Sequence, residues 1–122
     1  MPKEVIKKNY ECFKTGDMKT FVSLYHENAV LIVNGKHRFP GTHKGIKSWI
    51  DVLAQIPARY DNFSVSPENM IYDGDQVFTQ LHAKADEMDA NFGHFHKVVD
   101  DKIKEFWIYD DSQQMAENMK DI

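Results

Sequence analysis

Apolar residues recur every three to four positions in the first half of the chain and every second position from about residue 63 onward, so helices precede strands. Val5, Ile6, Tyr10 and Phe13 predict an amphipathic helix over 3–14. Thr15-Gly16-Asp17 ends it and caps a second helix, along which Met18, Phe21, Leu24 and Tyr25 share a stripe. Ala29–Val33 is a short apolar strand, Asn34-Gly35 a hairpin turn and Lys36–Phe39 the returning strand, broken by Pro40-Gly41. Ile46, Trp49, Ile50 and Leu53 predict a third helix closed by Pro57.

The period then becomes two. Phe63–Tyr72 is a strand interrupted at Ser66-Pro67-Glu68, where a proline that cannot donate to a ladder predicts a bulge or an edge. Asp73-Gly74-Asp75 is a tight turn, Gln76–Asp86 a long strand and Glu87–Asn91 a solvated loop in which Met88 is placed to fold over a pocket mouth. Phe92–Val99 and Lys102–Tyr109 form a hairpin through Asp100-Asp101. Asp111, with Gln114 three residues on, opens a C-terminal helix through Met115 and Met119. Helices followed by a run of antiparallel strands predict an α+β fold: a cone-shaped, curved antiparallel sheet covered by N-terminal helices, enclosing a small pocket. The absence of repeats and linkers predicts one domain over residues 1–122.

Composition narrows the function classes. A net charge of −4 with a pI near 5.8 lacks the basic footprint of a nucleic-acid binder. No apolar run approaches the roughly 18 residues of a membrane span, and the N-terminus has no signal-peptide pattern. Cys12 is the single cysteine, so no internal disulfide framework exists, which fits a cytoplasmic location. Eight Phe, five Tyr and two Trp exceed what a minimal core needs, so some rings are expected to line a cavity or a subunit interface.

The order and spacing of Lys14-Thr15-Gly16-Asp17-Met18, Leu24-Tyr25-His26-Glu27-Asn28-Ala29-Val30, Asp73-Gly74-Asp75-Gln76-Val77 and Asp101–Phe106 resemble the SnoaL-like group of the nuclear-transport-factor-2-like superfamily over nearly the whole chain. That superfamily also holds ketosteroid isomerases, polyketide cyclases and limonene epoxide hydrolases. The resemblance implies a pocket for a small apolar or carbonyl-containing molecule, no cofactor, and a homodimer through the outer face of the sheet, where Val77 and Trp107 are expected. By position, the ketosteroid isomerase base falls on Val33, its tyrosine on Asn9, with Tyr10 about 100° further round the helix, and its protonated aspartate near His94. The isomerase set is therefore not reproduced. Nor is the Asp-Arg-Asp set of the epoxide hydrolases, since Arg38 and Arg59 lie off the central strands.

Histidine stands in place of those groups. His94 and His96 alternate along one strand and share a face with Phe92 and Val98. Matching the preceding strand to the family puts Gln80 and His82 on the concave side, with Thr79 and Leu81 opposite. His82, His94 and His96 would then converge in a cavity walled by Tyr10, Phe13, Trp49, Phe106 and Ile108. Three readings stay open: acid–base chemistry at His94 in an isomerase, cyclase or hydratase, supported by His82 and His96; a His-ligated metal site with a carboxylate such as Asp86 or Asp110; or neutral, hydrogen-bonded lining of a non-catalytic binding module.

Overall fold

The computed structural model describes residues 2–35 and 41–119. Helix α1 (Pro2–Thr15) opens on a proline at its first position, where no backbone donor is needed, and buries Ile6, Asn9, Tyr10 and Cys12. Gly16, at φ 77°, closes it by a bond from its N–H to the Cys12 carbonyl at 2.9 Å. Helix α2 (Met18–Ser23) is capped by Asp17, whose carboxylate accepts from the Thr20 N–H at 3.1 Å.

Strand β1 (Tyr25–Val33) pairs antiparallel with β2 (Gly41–Lys44), Val33 facing Gly41. The returning strand predicted at 36–39 lies outside the described residues. Gly41 opens a strand rather than breaking one, at a φ of 110° that glycine tolerates. Helix α3 (Ile46–Ala54) stops before Pro57, which instead sits in the first turn of the short α4 (Ile56–Arg59).

Four strands complete the sheet: β3 (Ser64–Asp73), β4 (Gln76–Ala85), β5 (Met88–Val99) and β6 (Lys102–Tyr109), before the terminal helix α5 (Ser112–Glu117). The spatial order is β2-β1-β6-β5-β4-β3, antiparallel except for the parallel β1–β6 pair. The long connection through α3 and α4, which carries the chain from one side of the sheet to the other, makes that pair feasible. The predicted interruption of β3 is a bulge between Pro67 and Asn69. The predicted loop at 87–91 shrinks to a turn at Asp86-Glu87, because Met88 already pairs with Ala85. Met88 is 4% exposed within the sheet and forms no lid.

Helix α1 lies across β3, β4 and β5, while α3 lies on β1 and β2. Between them and the sheet sit Ile6, Leu31, Leu81 and Ile103, all essentially inaccessible to solvent. Each contributes about 2–3 kcal/mol of hydrophobic stabilisation. Val77, expected on the outer face, is among these inward residues at 0% exposure. The register instead aligns Ile71, Phe78, Phe95, Trp107 and Ile32 in one row across the outer face of five strands. Ile71 is 60% and Phe78 39% exposed, while Ile32, Phe95 and Trp107 are half-buried, so the described residues leave the β3–β4 end of that row uncovered.

The Tyr60 hydroxyl donates to the Met115 carbonyl at 2.5 Å and so fastens α5 beside α4. Tyr60→Phe should lower stability by about 1 kcal/mol. Amide exchange at Met115–Glu117 should accelerate more than exchange in β5; unchanged exchange in α5 would show that the bond does not hold the helix.

Candidate functional site

The two-residue period of β5 turns Phe92, His94, His96 and Val98 inward, and all four are buried. Across the ladders His94 faces Thr79 and Ile108, while His96 faces Val77 and Phe106. On β4 the inward residues are therefore Val77, Thr79, Leu81 and Ala83. Gln80 and His82, predicted to be concave, lie on the opposite face. There the His82 imidazole meets the Asp89 carboxylate through Nε2 and Asn91 Oδ1 through Nδ1 at 3.3 Å.

The physical reason is local. Residues 77, 79, 81 and 83 are Val, Thr, Leu and Ala, whereas 76, 80, 82 and 84 are Gln, Gln, His and Lys, and a one-residue slip would bury the polar set. Three imidazoles consequently do not converge. Among the described residues, no three His, Cys, Asp or Glu side chains are grouped to hold a metal ion.

What does converge is an apolar cavity of about 90 Å³ between the sheet and the helices. Its walls include Phe13, Trp49, Phe92, Phe106 and Ile108, with Trp49 edge-on to Phe106 at 6.0 Å. Of the predicted lining, Tyr10, Phe13, Trp49, Phe106 and Ile108 are present and Gln80 is not. Its polar groups are Asn9, Tyr10, Tyr25, His94 and Asp110.

Tyr10, placed by helical geometry away from the family's tyrosine position, reaches the cavity all the same, and its hydroxyl lies 2.6 Å from His94 Nδ1. Its neighbour Asn9 is spent elsewhere, its Oδ1 accepting from the Tyr25 hydroxyl at 2.5 Å. Asn9, Tyr25 and Asp110 line the cavity and are not among the predicted lining residues. The inward position of Thr79 was recoverable from the alternation in β4. The Asn9–Tyr25 pair, which joins α1 to β1, left no signal in the spacing.

Burial sets the protonation states. His94 is pushed down to about 3 by burial, and His96 well below the ordinary value by burial and then by His94. The Tyr10 phenol is pushed upward by burial, slightly offset by Thr79 beside it. The Thr79 hydroxyl is a neighbour only, with no partner at bonding geometry among the described residues. Both rings are thus neutral near pH 7. A phenol that keeps its proton is placed to donate it to His94 Nδ1, the arrangement in which the neutral imidazole carries its hydrogen on Nε2. Tyr60, at the other end, is pushed up to about 12 by burial and then by the charge of Asp110. His96 stacks on Phe106 at 4.0 Å, and neither of its ring nitrogens has a hydrogen-bond partner among the described residues. It packs behind His94 rather than lining the cavity.

A family model described as the SnoaL-like domain matches residues 6–106. The chain belongs to the SnoaL-like family. Curated protein sequences give no match. Among solved structures, this SnoaL-like chain is similar to Bal32a from a soil-derived mobile gene cassette, with 20% identity, 98% of this chain and 96% of that chain covered, and a TM-score of 0.90. It is also similar to wild-type IdmH of Streptomyces antibioticus, a proposed polyketide cyclase, with 21% identity, 97% of each chain covered and a TM-score of 0.83. A proposed ketosteroid isomerase from Kribbella flavida DSM 17836 follows at 11% identity, 89% of this chain and 76% of that one covered, and a TM-score of 0.79. At such identities these likenesses show the SnoaL-like fold and leave the chemistry to the site itself.

The depressed histidines make stability depend on pH. Between 6.5 and about 3 the unfolded chain binds a proton at His94 that the folded chain excludes. Stability is therefore fully present above about 6.5 and falls on acidification through that window, with His96 acting in the same sense. Each histidine should contribute a slope of about 1.4 kcal/mol per pH unit. Urea unfolding midpoints at about pH 7.5 and about pH 5 measure it; equal midpoints would contradict neutral burial.

Proposed function

We propose that this SnoaL-like cone binds a small apolar molecule through its carbonyl oxygen and promotes proton transfer next to that carbonyl, as an isomerase, cyclase or hydratase without a cofactor. The observation that carries the reading is the 2.6 Å contact between the Tyr10 hydroxyl and His94 Nδ1 at the polar end of an otherwise apolar cavity. With Nδ1 occupied, Nε2–H is the donor left for a ligand. A neutral imidazole in a dry site polarises a carbonyl oxygen and stabilises the enolate that forms there.

The same burial makes His94 a poor base, so the α-proton passes to another group. Asp110, the carboxylate lining the cavity, is its acceptor in this scheme. His96 supports the ring stack from behind. The weak basicity of His94 also favours a second reading, a binding module that holds a carbonyl compound without turning it over.

Acetophenone in D2O separates the two. Turnover predicts exchange of its methyl protons at least about 100-fold faster than in buffer, lost in Asp110→Asn, as read by NMR. Binding without exchange selects the module. In either case His94→Phe should weaken acetophenone binding by roughly 3- to 10-fold, the worth of one hydrogen bond. Undiminished affinity in that variant would remove His94 from the reading.

We further propose a homodimer through the outer face of the sheet, supported by the row Ile71, Phe78, Phe95, Trp107 and Ile32. Sedimentation should give a dimer that Phe78→Asp converts to a folded monomer. A monomeric native protein would refute it.

A further inference from the structure

A second space adjoins the cavity. It is a groove of about 610 Å³ between α1 and the edge strand β3, bounded by Glu11, Lys14, Ser64, Ser66 and Pro67. Tyr10, Phe13, Phe63 and Val65 line both spaces, so these four side chains form the partition between them. Phe13, Phe63 and Val65 are only half-buried, unlike Trp49, Phe92 and Phe106 on the far walls. The partition therefore loses less packing when it moves.

Size makes movement necessary. An apolar cavity of about 150 Å³ is what holds benzene, and this one measures about 90 Å³. A ring can seat beside His94 only if a wall yields, and the yielding wall opens on the groove.

The groove differs in chemistry from the cavity. Glu11 and Lys14, of opposite sign, bound it together with the edge strand along Ser64–Pro67, whose Ser64 and Ser66 side chains pair across the ladder with Lys84 and His82 on the outer face, which suits an uncharged polar group better than an ion of either sign. Its floor at Pro67 precedes the bulge of β3, and the edge position of that strand leaves room that a central strand would not.

We infer that the ligand of this protein is bipartite, with a compact apolar head bearing the carbonyl in the cavity and an uncharged polar tail running out between α1 and β3. The inference rests on the carbonyl reading of the cavity given above. It adds the direction of the opening and the class of substrate: an apolar ring or short acyl group carrying a hydroxylated or ether-like extension.

Two ketones test it: acetophenone, and 4-acetylphenol etherified with methyl tri(ethylene glycol). NMR titration should show the tailed ketone binding about fivefold or more tightly than acetophenone, a gain typical of added contacts after ordering costs. Nuclear Overhauser contacts from the glycol protons should fall on Lys14, Ser64 and Ser66. Pro67→Trp, which fills the groove, should bring the ratio of the two affinities to about one. Equal affinities in the native protein, or glycol contacts on α5, would overturn the bipartite ligand. A tail effect that persists while His94→Phe leaves acetophenone binding unweakened would instead remove the carbonyl reading and keep the groove. If neither ketone binds, both fall together.

Discussion

The inside–outside alternation of β4, β5 and β6 is the constraint on which the rest of the molecule depends. Each strand pairs with a neighbour over most of its length, so one choice of face on β5 fixes the faces of the other two. Once Phe92, His94, His96 and Val98 face the helices, Thr79 and Ile108 must flank His94. Phe106 must then lie under both imidazoles, 4.8 Å from His94 and 4.0 Å from His96 by ring centroid. The helix above supplies a phenol at the one place where the buried ring needs a partner. Without Tyr10 the His94 Nδ1 would join the two nitrogens of His96 as orphaned polar atoms in the core, each costing about 1–3 kcal/mol.

Most of the architecture was legible because local signals agreed with the global arrangement. Asp17 and Asp111 cap α2 and α5 as their spacing predicts, and the proline of β3 marks its bulge. Asp100 and Asp101 both adopt positive φ, 53° and 62°, in the two-residue turn that joins β5 to β6. The structure departs from expectation where two signals in the chain disagree. Family position puts Gln80 and His82 on the concave face, whereas the apolar alternation of Val77, Thr79, Leu81 and Ala83 puts them on the outer face, where the structure has them. The acidic neighbours of Met88 predict a loop, yet the acidic turn takes only Asp86 and Glu87. The Tyr10–His94 pair joins residues 84 positions apart and no periodicity reports it. Helical spacing said only that Tyr10 was on the buried stripe.

The site that results differs in character from a histidine cluster. One imidazole is held neutral and oriented, a second is packed out of reach, and a third is on the other side of the sheet beside Asp89. Such an arrangement trades basicity for a fixed, dry hydrogen-bond donor. The apolar walls and the depressed histidine share one cause, the low polarity of the cavity, which also strengthens any hydrogen bond made inside it.

The two margins of the sheet carry a consequence of another kind. One edge is the four-residue β2, and the other is β3, broken by Pro67 and the bulge beyond it. Among the described residues, neither presents a long, flat row of free donors and acceptors to a further strand. Growth by edge pairing, the geometry that leads to open-ended fibrils, is thus frustrated at both ends. The apolar surface the sheet leaves exposed is instead on its broad back, at Ile71 and Phe78.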